Sequence, residues 1–259
     1  MFEKTILILS FRRSGTHLTI DSILNNFQQI SKTYLTLEQL FPSHHEHLDV
    51  IKLKSKIHPK MHTIIKTHMN SAFLTQFGDY KDLSENKRGF FLDILDKSKK
   101  IYVYRDGRDV MVSLYYYWQS IKADYNLSFL NHLKLNLIDW KEHVKGWLSK
   151  PDVLPISFEE FPQNYDLAIK KIKNFLQIPL NKKIINCYGK IIPNASFYNF
   201  LAQKILQKLS IVPISTTIRP RKGIMGDWRN HFDDESKKYF NSIAGKLLTR
   251  LGYEKDFDW

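Results

Sequence analysis

The sequence predicts a single-domain α/β fold over residues 1–259, a central parallel β-sheet flanked by helices, with a P-loop-like anion-binding turn after the first strand. Three observations carry this. Short β-branched or apolar runs alternate with longer segments of helical period, the pattern of parallel strands covered on both faces by helices. A strand, a basic loop and a helix follow one another at the N-terminus, and the same order returns near residue 100. A chain of 259 residues that is 43% hydrophobic can bury a full core, and no repeat, Gly/Ser linker or low-complexity tract marks a domain seam.

Taken in order, Thr5–Ser10 reads as a buried strand, and the segment from Gly15 to Phe27 reads as an amphipathic helix through Leu18, Ile20, Ile23, Leu24 and Phe27. The stretch from Phe41 to Pro59 yields no assignment. His62–Lys66 and Lys100–Arg105 are the next strands. A helix starts near Gly107, with Val110, Leu114, Tyr117, Trp118 and Ile121 on one stripe and Asp109 and Ser113 on another face. Helices are also predicted at Ser128–Leu148, Asn164–Leu176, Phe197–Leu209 and Asp234–Leu251, with a strand at Val153–Phe158.

Lys+Arg 39 against Asp+Glu 26 gives a formal charge of +13, which favours a polyanionic partner: nucleic acid, an anionic membrane face, or a phosphorylated or sulfated small molecule. The single cysteine, Cys187, excludes an internal disulfide framework and a cysteine-based metal site, and suits a reducing compartment, so the expected location is cytoplasmic. The apolar run before Arg12 and Arg13 is too short for a signal-peptide core, and no stretch is long enough to cross a bilayer. The expectation is a soluble protein with no membrane partner.

The loop SFRRSGTHL, residues 10–18, follows the first strand directly. A turn between a parallel strand and a helix presents free backbone N–H groups and the positive end of the helix dipole. Arg13, Ser14, Gly15 and Thr16 occupy that turn; glycine lets backbone approach a ligand, and the hydroxyls and guanidinium add donors to its oxygens. The pattern is not a Walker A sequence, because the second glycine and the lysine are missing, which argues against an ATP-hydrolysing site.

Three segments together resemble the sulfotransferase family, enzymes that move a sulfuryl group from 3′-phosphoadenylyl sulfate (PAPS) to an acceptor. SFRRSGTHL resembles the family's 5′-phosphosulfate loop, YRDGRDVMVS resembles its 3′-phosphate motif, and RKGIMGDWRNHF, residues 221–232, is similar to the C-terminal cofactor loop of the cytosolic branch. The resemblance implies that Arg13, Ser14, Gly15 and Thr16 hold the 5′-phosphosulfate, and that Arg105, Ser113, Arg221, Lys222 and Gly223 grip the 3′-phosphate. Two separated anionic groups on one nucleotide need two clusters of donors, and guanidinium forks suit phosphate oxygens.

HTIIKTHMN resembles the family's Lys-Thr-His, which implies that His68 is the catalytic base, and fixed cations at Lys66 and Arg13 are expected to stabilise the charge that develops on the leaving group. Lys66 and His68 lie two apart at a strand end, so both point to the same side, and an imidazole titrating near neutrality suits a general base. No metal is required. The cluster His44, His45 and His47 is read as a polar loop, since it lacks further ligands at fixed spacing.

The chain departs from the family in places. The cytosolic branch has Thr-Trp after Ser-Gly-Thr, with the tryptophan stacking on adenine; His17 and Leu18 stand there, and packing on Leu18 is left to replace the ring. Phe158, also assigned to the cofactor site, stands where the family has a tyrosine hydroxyl. Arg13 replaces the usual lysine, which keeps the charge but cannot give up a proton. Asp233, Asp234 and Glu235 follow RNHF where a dimerisation signature is usual, so that dimer mode is not expected and the oligomeric state is open.

The expected reaction is sulfuryl transfer to a hydroxyl of a small-molecule acceptor, a specialised metabolite among the candidates, releasing PAP, the desulfated product. N-sulfation of an amine or guanidine is the alternative acceptor chemistry. A nucleotide kinase is the enzymatic rival. A basic nucleic-acid binder, suggested by Tyr115, Tyr116 and Tyr117 beside Arg105 and Arg108, is the rival from another class, although no nucleic-acid partner is expected.

Overall fold

A computed structural model describes residues 2–41, 49–72, 84–188 and 222–259. In chain order the elements are β1 (Thr5–Ser10), α1 (Thr16–Asn26), β2 (Ile30–Thr36), α2 (Val50–Ser55), β3 (His62–Thr67), α3 (Glu85–Lys97), β4 (Lys99–Tyr104), α4 (Gly107–Ile121), α5 (Phe129–Leu148), β5 (Val153–Ser157), α6 (Glu160–Leu176) and α7 (Asp234–Arg250). Short 3-10 turns lie at Phe2–Lys4, Leu37–Leu40 and Asp227–Asn230.

The sheet is five-stranded in the order β2-β3-β1-β4-β5, and every pairing is parallel. Side chains on a strand alternate between faces. Ile6 and Ile8 of β1 accordingly enter one core with Ile20 and Ile23 of α1 and Ile169 and Ile172 of α6. Leu7 and Leu9 enter the other, with Phe91 of α3, Val110 of α4, Trp140 of α5 and Phe240 of α7. β1 is buried along its whole length, as a strand covered on both faces must be.

The strands expected from sequence are present, each within a residue of its expected end. Besides α2, which falls in the unassigned stretch, β2 and α3 were not expected. Among the described residues β2 is an edge strand paired only with β3, with a register shift between Ile30 and Tyr34 and with Lys32 and Thr33 exposed, so its alternation is weak. α3 carries Gly89 and many charges, and buries only Phe90, Phe91 and Ile94.

The helix expected from Asn164 starts earlier, at Glu160, although Asn164 itself is non-helical and its side-chain oxygen accepts from Leu167 N at 3.1 Å. That bond is the cap-like signal in the sequence, and the turn before it holds Pro162, where a first-turn proline is tolerated. In the unassigned stretch from Phe41 to Pro59 the described part forms α2, capped by Asp49 accepting from Lys52 N at 2.7 Å. The expected helix Phe197–Leu209, the residue Arg221 and the cluster His44, His45 and His47 lie outside the described residues.

Candidate active site

In parallel sheets, ligands bind beyond the carboxyl ends of the strands. Here that edge carries Ser10 from β1, Thr67 at the end of β3 and His68 just after it, Arg105 after β4 and Phe158 after β5. Ser10 and His68 meet: the ring nitrogen Nδ1 of His68 lies 2.8 Å from the Ser10 carbonyl oxygen and 3.3 Å from its Oγ. A carbonyl only accepts, so Nδ1 carries the proton and the lone pair sits on Nε2. Ser10 Oγ in turn lies 2.6 Å from Thr16 Oγ1 in the anion turn.

The turn is built by unusual backbone. Arg13 has φ 70° and Gly15 φ 101°, and Ser14 N–H donates to the Phe11 carbonyl at 3.3 Å. A Cβ on Gly15 would stand 2.7 Å from Phe158 Cδ2, so both the left-handed conformation and the close ring require glycine. Ser14 is buried, and its Oγ has no hydrogen-bond partner among the described residues. A buried hydroxyl without a partner costs about 1–3 kcal/mol, which an anionic ligand's oxygen would remove.

Arg13 reaches across the edge. Its Nε donates to Ser113 Oγ at 3.1 Å, and its guanidinium lies 5.2 Å from the centre of the Tyr117 ring. The resemblance assigned Arg13 and Ser113 to opposite ends of a nucleotide; in the fold they touch. Arg12 beside them is exposed.

Arg105 is buried on the Phe158 ring, 4.5 Å from its centre, donates to the Ile224 carbonyl at 2.6 Å, and pairs with Asp109 at 3.5 Å. Its Nε is buried without a partner among the described residues. Asp109, which the sequence places on one helix face with Ser113, carries a role that the sequence left unassigned. Its two carboxylate oxygens accept from Gly226 N at 2.8 Å and Trp228 N at 3.0 Å, which docks the C-terminal loop against α4. The available signal was its position in the first turn of α4, four residues after Arg105.

In that loop Gly223 has φ 70°, and its carbonyl accepts from the Tyr188 hydroxyl at 2.8 Å. Lys222 is half-exposed and pairs with Asp227 at 2.7 Å. Arg108, the neighbour that suggested a nucleic-acid surface, is buried between Asp106 and Glu254 and stacks on Trp228 and Trp259. Tyr115 packs on Phe129 and His132, its hydroxyl bound to the Leu127 carbonyl.

On the β3 side, Glu38 Oε1 accepts from His68 N–H at 2.6 Å and from the Thr67 hydroxyl at 2.9 Å. Glu38 went unnoticed because the strand leading to it has no clear sequence pattern. Burial, reinforced by the Lys66 cation, pushes His68 down to about 4, so its imidazole is neutral at pH 7. Burial also lowers Lys66, although Glu38 pulls it back up.

His17 faces this group rather than Arg105: its ring meets Tyr34 edge-on at 6.0 Å, and burial with the neighbouring Lys66, His68 and Arg13 holds it well below the usual histidine range. Leu18 packs against the core of Ile6 and Ile8. Among the described residues no group of three His, Cys, Asp or Glu could hold a metal ion, and no helix is long and apolar enough to cross a membrane.

Fold and site together define an α/β protein with a P-loop-like anion turn beside a neutral histidine. The chain belongs to the sulfotransferase family, whose Sulfotransferase domain matches residues 3–252. It is similar to sulfotransferase 2A1 of Macaca fascicularis, 30% identical in an alignment of 177 residues that covers 63% of this chain and 60% of that one. The 3-beta-hydroxysteroid sulfotransferase of Cavia porcellus is 32% identical over 178 residues, with the same shares of 63% and 60%. The chain thus spans about three fifths of the length of these relatives. Among solved structures, mouse sulfotransferase SULT7A1 complexed with PAP superposes with a TM-score of 0.61 at 19% identity, covering 95% of this chain and 85% of that one. That likeness supports the fold.

Proposed function

We propose that the protein transfers a sulfuryl group from PAPS to a hydroxyl of a small-molecule acceptor, releasing PAP. One observation carries the reading: His68 and the anion turn share Ser10, whose carbonyl holds the base and whose hydroxyl holds Thr16. A base and an anion site joined through one residue suit a transfer in which the acceptor loses its proton where the anion is gripped. PAPS itself would supply the activated sulfuryl group.

The residues fit such a ligand. Ser14 Oγ and Arg105 Nε are buried donors without partners among the described residues, one on each side of Gly15 and Phe158. Ser14, Gly15 and Thr16 would hold the 5′ end, and Arg105, Ser113, Lys222 and Gly223, together with Arg221, would hold the 3′-phosphate. The 3′ cluster is what would separate PAPS from ATP. Phe158 and Leu18 offer the apolar surface for adenine.

His68 Nε2, with its lone pair, takes the proton of the acceptor hydroxyl, a step worth about 10²- to 10⁴-fold. Lys66 and Arg13 place fixed positive charge where negative charge develops, as positioned donors do in acyl and phosphoryl transfer. His17, adjacent to both, is a further donor to the same anion. A hydroxyl acceptor is favoured because a relative carries hydroxysteroid in its name and because a neutral imidazole suits an alcohol's proton.

The test is thermal stabilisation by PAP, ATP and adenosine 5′-phosphosulfate, on wild type and Arg105→Ala, followed by transfer from PAPS to 4-nitrophenol, a 3-hydroxysteroid and a primary amine. PAP should stabilise wild type most, and the variant should lose that preference. Equal stabilisation by ATP would remove the cofactor assignment, and transfer to the amine alone would remove the hydroxyl.

A further inference from the structure

We propose that His143 and Trp147 of α5 are positioning residues for the base His68, an inference that rests on the base assignment above. The two side chains sit four apart on one face of α5, and both aim ring N–H groups at the backbone that follows β3. His143 Nε2 lies 3.2 Å from the His68 carbonyl oxygen, and Trp147 Nε1 donates to the Met69 carbonyl at 3.0 Å. Gly146 lies between them, and a Cβ there would stand 2.1 Å from Ser71 Oγ. The helix therefore approaches this loop as closely as a bare backbone permits.

The hydrogen-bond directions are fixed by chemistry. A carbonyl cannot donate, so His143 carries its proton on Nε2, and its Nδ1 lone pair faces the Tyr102 hydroxyl at 2.9 Å. Tyr102 is fully buried, stacks on Trp147, and has its phenol pushed up by burial, so it keeps the proton it donates. A chain of donors thus runs from β4 through α5 to His68.

From the opposite side Glu38 takes the His68 N–H, and from β1 Ser10 takes the ring Nδ1–H. The N–H, the C=O and one ring nitrogen of a single residue are each tied to a different element. Only Nε2 is left for chemistry. Such triple restraint is costly to assemble for a histidine that merely fills space, and it is what a base needs, since a misplacement of about 1 Å can cost on the order of 10²-fold in rate.

The experiment compares His143→Leu, His143→Gln, Tyr102→Phe, Trp147→Phe and His68→Ala, all checked for folding by thermal melting. The glutamine amide nitrogen reaches the place of Nε2. In the transfer assay with the acceptor turned over in the panel above, His143→Leu should lose about 10- to 100-fold in kcat, with KM for PAPS and stabilisation by PAP unchanged. His143→Gln should recover most of that loss, and Tyr102→Phe and Trp147→Phe should fall between.

Imidazole nitrogen NMR of the ligand-free protein gives an independent reading: one sharp Nδ1–H tautomer for His68 in wild type and His143→Gln, a broadened or mixed one in His143→Leu. Equal losses in the leucine and glutamine variants, or wild-type kcat and an unchanged His68 spectrum in His143→Leu, would overturn the positioning role. If His143→Leu does not fold, wild-type kcat in both Tyr102→Phe and Trp147→Phe overturns it instead. Undiminished turnover in His68→Ala sinks the base assignment itself, which is a separate outcome.

Discussion

Gly15 and Arg13 decide whether the anion turn exists. With φ at 101° and the Phe158 ring 2.7 Å from any Cβ, Gly15→Ala is strained in backbone and side chain together. It should cost about 1–3 kcal/mol, read as a melting temperature lower by about 2–10 °C, and should weaken PAP binding in calorimetry. Arg105→Ala removes a buried guanidinium fork and should weaken PAP by about 10- to 100-fold, the range of a charge-assisted hydrogen bond. Burial and the Lys66 cation push His68 down to about 4 in the ligand-free protein. The acid limb of kcat/KM should therefore lie near pH 4, and that of kcat higher, because a bound anion favours the imidazolium. An acid limb of kcat/KM near 6.5 would contradict the lowering of His68 by burial and Lys66.

At the scale of elements, the site depends on docking a loop far away in sequence. Asp109 on α4 holds Gly226 and Trp228 through both carboxylate oxygens, and Arg105 holds Ile224. Asp109→Ala leaves two backbone N–H groups without acceptors at about 1–3 kcal/mol each. It should raise hydrogen exchange and protease cleavage within residues 224–232, and should weaken PAP through the released loop. The strands and α1 were legible in the sequence because buried parallel strands leave short apolar runs between turns. β2 was not, since an edge strand with one partner needs no such pattern, and Glu38 was lost with it. Asp109 was placed on a helix face with Ser113, but nothing local in RDGRD marks it as the anchor of a loop 117 positions away.

Across the whole molecule, histidines in the interior make stability sensitive to acid. His132 and His143 are buried, and burial lowers them to about 4 and about 3. Their folded values lie below the unfolded value of about 6.5, so the unfolded chain binds protons that the native one refuses. Stability is full above about pH 6.5 and declines toward pH 4, by up to about 1.4 kcal/mol per pH unit for each such histidine. Urea titrations at pH 7 and pH 5 should show this; a midpoint unchanged between them would contradict the burial of both side chains. His143→Gln should flatten the slope by its own share.

The sequence by itself determined the fold class and the family, because strand, basic turn and helix must be contiguous to place a helix N-terminus over a strand end, and because the motif residues sit in short local runs. It also named Arg13, Ser14, Gly15, His68 and Arg105 as a set. Only the tertiary structure decided how they meet: that Arg13 bonds Ser113 across the sheet edge, that Phe158 lies under Arg105, and that Glu38, Ser10 and His143 restrain His68 from three sides. Those contacts join residues from about 30 to 100 positions apart. Pairings of that kind arise from strand order and helix packing, which leave no periodic trace along the chain.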